Sequence, residues 1–78
     1  MRLELQPVRL DIEGDSEGCL VYGDERLIAL LTRLSEQHED RKGRWFLEFG
    51  FGALAHHAVD FADLEEAKSW IAAHAGKG

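Results

Sequence analysis

The stretch from Arg44 to Gly52, Arg-Trp-Phe-Leu-Glu-Phe-Gly-Phe-Gly, gathers three of the four Phe and one of the two Trp in the chain. No other segment concentrates as much potential buried area. Strand alternation sets Trp45, Leu47, Phe49 and Phe51 on one face and Phe46, Glu48 and Gly50 on the other, so the stretch predicts a sheet strand that needs a cover. The cover is expected from a helix further on. Asp63 precedes Leu64 and stands three residues before Glu66, the spacing of a capping box, and Glu65 and Glu66 suit the positive end of a helix dipole. Leu64, Ala67, Ile71 and Ala75 then mark one helical face with Trp70 beside it, and Gly76 ends the helix.

Upstream, Val8, Leu10 and Ile12 alternate with Arg9, Asp11 and Glu13, the pattern of a half-buried antiparallel strand. Leu3 and Leu5 fall in the opposite phase. Pro7 sits where the phase changes and predicts a bulge or the start of an edge strand, because proline has no N–H for a ladder. Gly14-Asp15-Ser16-Glu17-Gly18 has turn chemistry, and Cys19 to Tyr22 reads as a second strand. Gly23-Asp24 then turns the chain into Leu27 to Leu34, which fits two patterns. One is a helical stripe of Leu27, Leu30, Leu31 and Leu34 capped by Asp24; the other is a central strand, apolar on both faces. The strand is the reading adopted, since the two strands before it need a neighbour and the Gly-Asp turn supplies one by a hairpin. Ser35 to Gly43 holds no apolar residue and reads as an exposed loop, while Ala53 to Val59 shows no period and reads as a connection across one end of the sheet. Residues 1–78 are expected to form one α+β domain, a three- to four-stranded antiparallel meander with one C-terminal helix on one face.

The segments Gly-Arg-Trp-Phe-Leu-Glu-Phe-Gly-Phe-Gly and Phe-Ala-Asp-Leu-Glu-Glu-Ala-Lys-Ser-Trp-Ile occupy roughly the C-terminal half. They resemble small uncharacterised bacterial domains in which an aromatic strand precedes an Asp-Leu-Glu-Glu-Ala helix. That resemblance carries no catalytic residues. A three-stranded sheet with a C-terminal helix is also similar to the arm-type DNA-binding domains of integrases, as an analogy of fold alone.

Nine basic against fifteen acidic residues give a formal charge of −6, which repels phosphate backbones and anionic membranes at long range. Glu4 stands where a signal peptide needs its apolar region, and the longest apolar run, Leu27 to Leu31, is too short to span a bilayer, so a cytoplasmic protein is expected. The single cysteine, Cys19, has no partner for an internal disulfide and no recognisable base beside it, and reads as a small buried hydrophobe. His56, His57 and Asp60 are the most chemical-looking cluster. Adjacent histidines in extended chain point to opposite sides, however, so a metal site needs His38 or His74 as well; solvated histidines, with no metal and no cofactor, are expected. Gly50-Phe51-Gly52 lacks the third glycine and the lysine of a phosphate loop and reads as a turn or bulge. No nucleophile, base and orienting group fall into a recognisable spacing, which points away from an enzyme.

Two surfaces are left over. Arg41, Lys42 and Arg44, beside Trp45 and Phe46, offer phosphate contacts and stacking, but Glu36, Glu39 and Asp40 dilute them; a nucleic-acid-associated regulator is the alternative function. The leading one is a small interaction or accessory protein. If one helix covers the Trp45 face, then Phe46 and one alternating set of the third strand, either Leu27, Ala29 and Leu31 or Ile28, Leu30 and Leu34, face the other way. Leu27, Ala29, Leu31 and Phe46 are the candidate interaction face, for a homodimer or a protein partner.

Overall fold

In the computed structural model, which describes residues 2–11, 15–34 and 43–75 (15 and 16 by their backbone alone), Leu27 to Arg33 is strand. The chain runs through β1 (Leu3–Asp11), β2 (Asp15–Gly23), β3 (Arg26–Arg33), β4 (Trp45–Gly50), a 3₁₀ turn (Gly52–Leu54), β5 (Asp60–Phe61) and α1 (Leu64–Ala75). The strands form one five-stranded sheet in the order β1-β2-β3-β4-β5, each pair antiparallel, with α1 against one face. This is the α+β meander expected, with one more strand. β5 is only two residues long, too short to show a period, and it follows directly on the stretch read as a connection.

Two boundaries move. Pairing of β1 with β2 runs without a shift from Leu3↔Gly23 to Asp11↔Asp15, so β1 passes through Pro7 with no bulge, and β2 begins inside the segment read as a turn. Pro7 is tolerated because β1 is an edge strand, but it stands at the centre of that strand rather than at its start. The β2–β3 hairpin has a two-residue loop in which Asp24 and Glu25 both take positive φ, 51° and 71°, the mirror-image turn that matches strand twist. Asp24 holds the sheet corner as well, since its N–H donates to the Arg2 carbonyl and its Oδ1 accepts from the Arg2 N–H, each at 2.9 Å.

The core lies between sheet and helix: Cys19 and Val21 from β2, Ala29 and Leu31 from β3, Leu47, Leu54, Phe61, and Ala67 and Ile71 from α1. Helix capping follows the sequence with one variation. Asp63 Oδ1 accepts from the Glu66 N–H at 2.8 Å, while Glu66 Oε2 reaches past the cap residue to the Ala62 N–H at 2.7 Å. Two bulges shape the central strands. Val21 pairs with Ala29 and Tyr22 with Leu27, leaving Ile28 as an extra residue of β3; Leu30 pairs with Phe49 and Leu31 with Leu47, leaving Glu48 as an extra residue of β4. Beyond β4 the 3₁₀ turn folds back over the sheet and buries Leu54, a path that Gly50 permits: an added Cβ there would stand 2.5 Å from the Leu54 carbonyl oxygen.

Two glycine exchanges should act in opposite directions in thermal melts. Gly50→Ala must push the 3₁₀ turn off the sheet and is expected to destabilise by about 1–3 kcal/mol. Glu25→Gly relieves a left-handed conformation that L-residues resist and is expected to stabilise by about 1 kcal/mol, raising the midpoint by roughly 4–8 °C.

Candidate functional site: the open face of the sheet

Register decides what the second face presents. Across it lie a row of Val8, Gly18, Thr32 and Phe46, a row of Gln6, Leu20, Leu30 and Phe49, and a row of Glu4, Tyr22 and Leu27. The half-buried apolar residues that pack on the core are Leu3, Leu5, Ile28, Trp45, Val59, Leu64, Trp70 and Ala75. Val8, Leu10, Leu20, Tyr22, Leu30 and Phe46 are half-buried too, on the face away from the helix. One end of that face is thinly covered by its own side chains. A Cβ added to Gly18 would meet Leu10 Cδ1 at 2.8 Å and Val8 Cγ2 at 3.2 Å, so those two residues lean over the glycine.

The opposite end is bare. Leu27, Phe49 and Phe51 are 41%, 54% and 50% exposed, the large hydrophobics most open to water among the described residues. Phe49 and Phe51 meet edge to face with ring centroids 4.9 Å apart, and the Phe51 N–H donates to the Ile28 carbonyl at 3.0 Å, which ties the end of β4 to the start of β3. Ion pairs stand at two diagonal corners. Arg2 Nε lies 3.3 Å from Glu4 Oε1, and Arg44 Nη2 lies 3.3 Å from Asp60 Oδ1.

Of the four residues expected on this face, Leu27 and Phe46 stand on it. Ala29 and Leu31 do not: both are 0% exposed, inside the core. The bulge at Ile28 is the reason, because strict alternation keeps Leu27, Ala29 and Leu31 together and one extra residue separates the first from the others. The bulge at Glu48 corrects the opening strand in the same way. It moves Phe49 off the Trp45 and Leu47 side, so the helix covers Trp45 and Leu47 but not Phe49. Sequence reasoning missed Leu20 and put Phe49 under the helix; a bulge leaves no signature in a run of apolar residues.

The other expected contacts fall apart. Arg41 and Lys42 lie outside the described residues, and Arg44 is engaged, its Nε and Nη2 both donating to Asp60 at 3.3 Å. His57 and His74 do come together, with ring centroids 5.6 Å apart, but around an indole. His74 stacks on Trp70 at 3.9 Å and 19°, and His57 meets the same indole edge-on at 5.0 Å. His74 Nδ1 is 2.8 Å from the Trp70 carbonyl, which can only accept, so that nitrogen carries the proton. His56 is exposed at a positive φ of 65°, and His38 lies outside the described residues. Among the described residues no three His, Cys, Asp or Glu side chains assemble as a metal site.

Cys19 is sealed in the core, and burial pushes its thiol above the ordinary 9.0, with the Gln6 backbone opposing the shift in part. The unfolded chain therefore loses this proton first. Stability contributed by the protonated thiol is intact below pH 9.0 and is lost as pH rises above it. A disulfide reagent at neutral pH is expected to react with Cys19 at least tenfold more slowly in the folded protein than in denaturant, with the unfolding rate as its limit. No helix among the described residues is long and apolar enough to cross a membrane. No family model, curated protein or solved structure matches the chain.

Proposed function

We propose that the chain is a small non-enzymatic interaction protein that works by seating another polypeptide chain on the open face of its sheet. The observation that carries this reading is the continuous apolar surface from Leu20 and Leu30 to Leu27, Phe49 and Phe51, whose last three members are each 41% exposed or more. One helix serves a sheet with two apolar faces. Patches of this kind on small proteins mark binding surfaces more often than chance. Two aromatic rings in edge-to-face contact give such a surface rigid, poorly hydrated anchors, and covering the exposed half of each contributes about 1 kcal/mol. Among the described residues, the thiol of Cys19 is in the core, and the rings of His57 and His74 pack on Trp70.

The test separates a binding surface from a structural one. Dilute protein is expected to enhance the fluorescence of an apolar-surface dye, and Phe49→Asp with Phe51→Asp to abolish most of that signal while the melting midpoint holds or rises. Residues that serve only the fold would instead lower stability by about 2 kcal/mol or more when made charged, and that result, or an absence of dye binding, would refute the proposal.

A further inference from the structure

Resting on that reading, we infer that the chain seated on the open face is a second copy of this one, packed face to face across a two-fold axis as a sandwich of two sheets. Area is the first argument. Four full strands at about 4.8 Å spacing and about 27 Å length present roughly 500 Å² of face, so two copies cover roughly 1,000 Å² in projection and more in accessible surface, the lower limit for a specific interface. The face thus reaches the size a closed dimer needs. No segment of the chain outside the described residues has the composition to cover it instead, since Met1 and Ile12 are the only apolar side chains there.

Charge is the second argument. The chain carries −6, yet the centre of the face holds Leu20, Leu30, Thr32 and Phe46 and no charge. The corner residues Arg2, Glu4, Arg44 and Asp60 form two ion pairs that sum to zero. A strongly charged partner finds no complement on such a surface, while an identical neutral face matches it, with strands crossing at about 30° and sheets about 10 Å apart. Acidic residues at the start of α1, Asp63, Glu65 and Glu66, lie on the far side of each copy, and the like net charge of two copies opposes association at a distance and is screened by salt.

Sedimentation over a concentration series decides the matter, with Phe49→Asp as the disrupting variant and Ala72→Asp, on the exposed side of α1, as the control. The expected result is a monomer–dimer equilibrium that tightens severalfold between about 50 mM and 500 mM NaCl, is lost in Phe49→Asp and is kept in Ala72→Asp. A dimer that survives Phe49→Asp overturns the inference, as does one that weakens with salt. A strict monomer at about 0.5 mM whose dye binding is lost in Phe49→Asp overturns the second copy as occupant and leaves the docking surface standing. A strict monomer that binds no dye overturns both.

Discussion

Two extra residues, Ile28 in β3 and Glu48 in β4, decide which side of the sheet each apolar side chain serves. Side chains of a strand alternate strictly, and a single insertion reverses the assignment of everything beyond it. Ala29 and Leu31 keep strict alternation and face the helix, while the bulge at Ile28 turns Leu27 outward and the bulge at Glu48 turns Phe49 outward. The covered face and the open face are products of the same two insertions.

Helix α1 offers only two fully buried side chains, Ala67 and Ile71, so it seals a limited part of the sheet and depends on help from the chain before it. That help comes from the 3₁₀ turn. Leu54 enters the core, Gly50 leaves the room for it, and the Leu47 N–H donates to the Val59 carbonyl at 3.0 Å to draw the following segment alongside β4. Phe61 and Trp70 then meet at 5.6 Å, which holds the middle of the helix against the last strand. What read as a connection without a period is a plug, specified by one leucine and one glycine rather than by repetition.

Local signals in the sequence were sound where one residue type has one cause. The Asp63 cap, the Leu64, Ala67 and Ile71 stripe, the Gly23-Asp24 hairpin and the choice of strand for Leu27 to Arg33 all appear in the fold. The length of β1 and the start of β2 were less clear, because Pro7 and the Asp15 to Gly18 stretch satisfy turn rules that tertiary pairing overrides at an edge. An uncovered apolar face was foreseeable from the surplus of hydrophobic residues over one helix. Its membership was not, since Leu-Ile-Ala-Leu-Leu is apolar in either phase and gives no hint of where a bulge falls.

The edge strand β1 is nine residues long and carries Pro7 at its centre, while the far edge of the sheet ends in the two-residue β5. A long, bare edge invites a further strand, then another, and so leads to fibres; a mid-strand proline at one border and a truncated strand at the other both obstruct that growth. The protein can therefore leave a broad apolar face open to water with less exposure to runaway polymerisation, because the direction in which sheets grow without limit is the one its borders are built to stop.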